Sequence, residues 1–181
     1  MSNLLLQPDL SGDNPIHDVT PASAGWSHVG FGLHDLAAGT SVASDGTADE
    51  ICLVLLSGSA RIIAGDLDTG LLQGRASVFD KLAPHAVYVP MKTAWRAEAG
   101  SNSELAVCRA PGTKGKLPPR LIGSQNMPLE TRGTGSNVRH VCNILPETEP
   151  ADSLLVVEVI TPAGNWSSYP PHKHDTDNLP E

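Results

Sequence analysis

Hydrophobic positions along this chain come in short bursts, not in long helical stripes. From Trp26 to His34 the side chains alternate, which places Val29, Phe31 and Leu33 on one face of an expected strand. Glu50–Leu56 is a continuous apolar run closed by Ser57-Gly58, the pattern of a buried strand. Shorter β-type segments follow at Ala60–Ala64, Ser77–Phe79, Ala86–Val89, Ala94–Ala97 and Leu105–Cys108, and strands resume around Val138–Ile144 and Ser153–Ile160. Turn formers separate them: Gly39, Gly65-Asp66, Gly74, Pro84, Pro90 and Gly100-Ser-Asn102. No window sustains a 3.6-residue period over three turns. Short strands at this spacing predict an all-β chain, an antiparallel barrel or sandwich.

Pro111–Pro119 interrupts the strand pattern with breakers and little apolar content, so it reads as a linker. The expected division is a first barrel over 1–110, a linker over 111–119 and a second barrel from 120 to 181. An internal similarity agrees: Leu36-Ala-Ala-Gly39 resembles Thr161-Pro-Ala-Gly164 at an offset of 125 residues. By that offset the last strand of the second barrel would end near position 234, beyond Glu181. The second barrel is therefore expected to be truncated, with exposed strand edges.

Composition narrows the class of partner. The formal net charge of -8 opposes nucleic acid and anionic membranes at long range, although a local cationic pocket can still take a small anion. The three cysteines, Cys52, Cys108 and Cys142, lie far apart without a Cys-x-x-Cys and read as reduced, mostly buried thiols. Neither a signal peptide nor a run of ~20 apolar residues is present, so a cytoplasmic protein without membrane contact is expected.

Candidate chemistry concentrates near the end. His172 and His174 are one residue apart, a spacing that on a strand sends both imidazoles to the same face, toward one ion. Neutral imidazole suits Zn, Fe, Ni or Cu. Pro170 and Pro171 favour the extended entrance such a strand needs. Taken alone, the spacing also fits a solvent-facing polar tail. Arg132 and Arg139 flank the glycine-bearing loop 133–137, and a guanidinium there can grip a carboxylate bidentately or serve only in packing. Lys173 should face away from the histidines. His85 and His140 read as ordinary strand residues, and Trp166 and Tyr169 as pocket walls or packing.

The run Gly164-Asn-Trp-Ser-Ser-Tyr-Pro-Pro-His-Lys-His-Asp175 resembles the signature of the 5-deoxy-glucuronate isomerase family. Gly25-Trp26, Leu36–Gly39, Glu50–Gly58, Val87-Tyr-Val-Pro90, Arg132-Gly133 and Ala151–Leu155 carry the same resemblance, which spans the chain from about residue 20. It implies a two-domain cupin, or bicupin, of jelly-roll barrels. It also implies a metal-dependent aldose–ketose isomerase of myo-inositol catabolism that converts 5-deoxy-D-glucuronate to 2-deoxy-5-keto-D-gluconate. The divalent ion, Zn or Mn, would be bound by His172 and His174, and Arg139 would hold the substrate carboxylate. A homo-oligomer is the expected assembly.

A cupin's further ligands are a Glu three or four residues on and a distant His. Asn178 and Leu179 stand where that Glu would fall, with Glu181 a weaker stand-in. In the first barrel, Thr47 and Asp49 occupy the His positions. Trp95 stands where the motif Pro-x-Gly-x-x-His would end, so that barrel is expected to be a metal-free scaffold. No residue identifies itself as the general base. Two other readings share the barrel, a non-catalytic sugar-acid-binding cupin and an iron dioxygenase.

Overall fold

The computed structural model describes residues 5–11 and 15–167. These residues form thirteen strands, one four-residue helix and two 3-10 turns. His172 and His174, with Lys173, Tyr169 and Glu181, lie outside the described residues.

A six-stranded sheet carries the fold. Its strands are β1 (His17–Val19), β2 (Gly30–Leu36), β4 (Asp49–Ser57), β7 (His85–Val89), β9 (Ser103–Pro111) and β10 (Arg120–Ile122), in the order β1-β2-β9-β4-β7-β10. Facing it is a four-stranded sheet of β3 (Ser41–Ser44), β5 (Ser59–Ala64), β6 (Leu67–Gln73) and β8 (Trp95–Ala99), in the order β3-β8-β5-β6. The remaining strands, β11 (Leu129–Arg132), β12 (Arg139–Leu145) and β13 (Val156–Ile160), form a separate antiparallel sheet with β12 central. The helix α1 (Pro21–Ala24) is a single turn between β1 and β2, capped reciprocally by Thr20 and Ser23.

β4 shows why the apolar run Glu50–Leu56 does not alternate. Its odd residues Ile51, Leu53 and Leu55 enter the core between the first two sheets, with Leu105, Val107, Val87 and Ile62. Its even residues Cys52 and Val54 face the other way and pack with Ala86, Tyr88 and Ala106 against Cys142, Ile144, Leu145 and Leu154. The central sheet is thus buried on both faces. One face closes the first sandwich and the other docks the three-stranded sheet.

Two sequence expectations fail. Ser77–Phe79 is a turn, because the Asp80 carboxylate accepts the N–H groups of Ala76 and Ser77 and the Asp80 N–H returns to Ser77 O. In the strand expected over Trp26–His34, ladder pairing begins only at Gly30; Phe31 and Leu33 do share a face, but the more buried face is that of Gly30, Gly32, His34 and Leu36. The Arg109 side chain explains this. Its stem lies over Gly30 and its guanidinium over Gly32, where a Cβ would stand 3.1 Å from Nη2, before Nη1 reaches Asp18 at 2.8 Å.

The 112–119 segment contains no strand, while β10, just beyond it, joins the six-stranded sheet beside β7. Asp152 fastens the segment by accepting the N–H groups of Thr113, Lys114 and Gly115. Those bonds hold its carboxyl below the usual carboxylate value.

Candidate functional site

The three-stranded sheet has two chemically different faces, set by its register. Leu129 pairs with Cys142, Thr131 with His140, and these in turn with Glu158 and Ile160, so all six share one face. The other face carries Glu130, Arg132, Arg139, Val141, Asn143, Val157 and Val159.

The first of these faces looks toward the turn at 77–82 across a cavity of about 370 Å³. Its polar members are already committed. The Arg75 guanidinium, 4% exposed, forms a bidentate pair with Glu158 and also donates to Leu56 O and Leu82 O. His140 Nδ1 lies 3.1 Å from Thr131 Oγ1. Cys142 and Glu158 on this face pack toward the first sandwich, while Leu129, Thr131 and His140 stay exposed.

The second face is the candidate site. Val157 and Val159 are 55% and 41% exposed there, beside a polar group built on β11 and β12. Arg132 Nε donates to Glu130 Oε2 at 2.9 Å, and Asn143 Nδ2 donates to Glu130 Oε1 at 2.8 Å, so Arg132 is neutralised in place. Arg139 differs. Its Nη1 donates to the backbone and side-chain oxygens of Asn137, at 3.2 and 3.3 Å, and no carboxylate within salt-bridge distance faces it among the described residues. Neutral carbonyls orient this guanidinium without cancelling its charge, which leaves it competent to receive an anion.

The loop that aims Arg139 depends on one glycine. Gly133 has φ +86°, and a Cβ there would stand 2.0 Å from Asn137 O, the acceptor that orients the guanidinium. The segment after β13 docks on the same loop. Gly164, with φ +80°, turns the chain, the Trp166 N–H donates to Ser136 O at 2.8 Å, and Asn165 Nδ2 donates to Val138 O at 2.9 Å. Asn165 and Trp166 are therefore held on the loop that carries Arg139. Trp166 itself is exposed.

Arg132 and Arg139 were legible as candidates because a Gly-bearing loop separates them. Glu130 and Asn143 were not, since nothing in the linear pattern shows that they face Arg132. Elsewhere, Trp95 lies in the core of the first sandwich, and His85 Nδ1 accepts the Ser124 N–H at 3.3 Å. Burial, then the nearby Arg109 charge, hold His34 below the ordinary imidazole range. Among the described residues no group of three or more His, Cys, Asp and Glu side chains is placed to hold a metal ion.

Comparison with known proteins places these residues in context. The model of the KduI/IolB family matches residues 4–181. A 5-deoxy-glucuronate isomerase of Geobacillus kaustophilus is 52% identical over 162 residues, covering 90% of this chain and 58% of the relative. One from Halalkalibacterium halodurans is 41% identical over 186 residues, covering 100% and 68%. An IolB-like protein from Salmonella typhimurium LT2 superposes with a TM-score of 0.89 at 44% identity, covering 95% of this chain and 65% of that one. The chain spans 58% and 59% of the length of the two Geobacillus relatives.

Proposed function

The chain belongs to the KduI/IolB family, and we propose that it serves as a metal-dependent aldose–ketose isomerase converting 5-deoxy-D-glucuronate to 2-deoxy-5-keto-D-gluconate in myo-inositol catabolism. One observation carries the reading beyond the relatives' names: Arg139 is an oriented, uncancelled cation on the face beside which the run to His172 and His174 begins. A uronate needs one cationic grip for its carboxylate, away from the carbon atoms that react.

In this reading Arg139 binds and orients the substrate carboxylate, and the Glu130–Arg132–Asn143 group offers hydrogen bonds to sugar hydroxyls. Val157 and Val159 supply the apolar wall against which the carbon chain lies. The donor chemistry of His172 and His174, two neutral imidazoles one residue apart, suits Zn, whereas Mn would call for oxygen ligands beside them. Such an ion would supply Lewis acidity to the carbonyl and neighbouring hydroxyl oxygens of the open-chain sugar. The reaction moves a proton from C2 to C1. Orientation by Arg139 is what keeps those carbons in a fixed place while it moves.

The architecture proposed is a bicupin, with a first barrel over 1–110 and a second beginning at 120. A cytoplasmic homo-oligomer completes the proposal. The experiment that tests it is turnover of 5-deoxy-glucuronate, followed by formation of the keto acid, with Zn²⁺ or Mn²⁺ added to metal-stripped protein. Turnover that rises with metal supports the reading. Oxygen uptake without isomerisation favours a dioxygenase, and binding without turnover a sugar-acid-binding protein.

A further inference from the structure

Two buried charged residues of the first 110 residues take hold of β13 and of the segment that leads into it. Glu50, at the start of β4, is fully buried. Its carboxylate accepts the backbone N–H groups of Asp152, Ser153 and Leu154, the residues that lead into β13, and the Tyr88 hydroxyl at 2.7 Å. Three successive N–H groups converging on one carboxylate make a nest, a geometry that accommodates an anion away from water. Arg75, equally withdrawn from solvent, holds the middle of the same strand through its bidentate pair with Glu158. A buried ion costs several kcal/mol unless its partners are well placed, so neither arrangement follows from packing alone.

Both holds act on the strand that runs into the Asn165–Trp166 contacts beside Arg139. We propose that Glu50 and Arg75 are positioning residues through which the first sandwich sets the placement of β13, and so the seating of Asn165 and Trp166 on the loop that carries Arg139. The first sandwich then has a working part in the site of the second sheet. On β4, which begins at Asp49, the neighbouring carboxylate of Glu50 turns to the opposite face for that task. The link to catalysis rests on the isomerase reading; the placement itself does not.

Amide exchange followed by NMR separates the two. In Glu50→Gln the side-chain amide presents N–H where three N–H donors already point. Exchange at residues 152–160 and at Trp166 should quicken about tenfold or more, while amides of β5, β6 and β8 stay as they were. Glu50→Asp, which keeps the charge, should recover part of the protection. Arg75→Lys, which cannot pair bidentately, should quicken 156–160 without unfolding the first sandwich. Unchanged exchange at 152–160 and Trp166 in both Glu50→Gln and Arg75→Lys overturns the proposal, as does loss of protection spread evenly over all sheets. In the isomerase assay Glu50→Gln should lower kcat/KM, with Glu50→Asp recovering part of it, and an unchanged kcat/KM would remove the catalytic link. Absence of turnover in the unsubstituted protein would instead count against the isomerase reading, with the placement still judged by exchange.

Discussion

Arg132 and Arg139 stand directly opposite each other across the β11–β12 pair, at the two ends of the loop that joins those strands. Like charges so placed repel. The chain resolves this asymmetrically: Glu130 neutralises Arg132, while Arg139 is held only by the neutral oxygens of Asn137. Arg139→Ala is therefore expected to raise KM for the uronate by the loss of a charged hydrogen bond, ~1.5–3 kcal/mol or roughly ten- to a hundredfold, with kcat less affected. Steady-state kinetics check it, and an unchanged KM would reassign Arg139 to packing.

Gly133→Ala should act at a distance on the same side chain. The added Cβ cannot coexist with Asn137 O at 2.0 Å, and the positive φ adds strain of ~1–2 kcal/mol. KM should rise as in Arg139→Ala, with a fall in Tm that Arg139→Ala does not show. A variant with normal KM would mean the loop relaxes without moving the guanidinium.

The metal proposal is tested at the two histidines. One divalent ion per chain is expected in the active protein, and His172→Ala or His174→Ala should each remove most of it. Elemental analysis of dialysed protein decides. Full occupancy in the double alanine variant would exclude this pair as ligands.

Tyr88→Phe removes one donor from the buried Glu50 carboxylate but leaves the three backbone N–H groups in place. The expected cost is ~1–3 kcal/mol, which for a chain of this size lowers Tm by roughly 2–4 °C per kcal/mol. Differential scanning calorimetry gives the value. A neutral result would show that the nest alone satisfies the carboxylate.

The thiols predict a pH dependence. Burial pushes Cys108 and Cys142 up to about 11, from an ordinary thiol value of 9.0, and raises Cys52 further in the same direction. In the unfolded chain they ionise first, so their contribution to stability is complete below pH 9 and is lost as the pH rises toward 11. Urea midpoints should fall between pH 8.5 and 10.5, and a Cys142→Ala variant should lose less. At pH 8 a thiol reagent should label the folded protein slowly and the unfolded protein fully.

Local pattern by itself determined the all-β class, the turn glycines and the loop between Arg132 and Arg139, because strand period and backbone hand are properties of a few neighbouring residues. It also marked Glu50–Leu56 as buried. The tertiary structure alone decided which way each face looks. β2 buries Gly30 and Gly32 because Arg109 lies over them, and Phe31, between them, is left exposed, against the usual hydrophobic rule. β6, with Asp68, Thr69 and Gly70 in its middle, is a strand because β5 pairs with it and not because of its own residues. The partners of Glu50 and Arg75 lie 102–104 and 83 residues further along the chain. A hydrophobic pattern records whether a side chain leaves water; which distant group it meets there depends on how separate strands close into sheets.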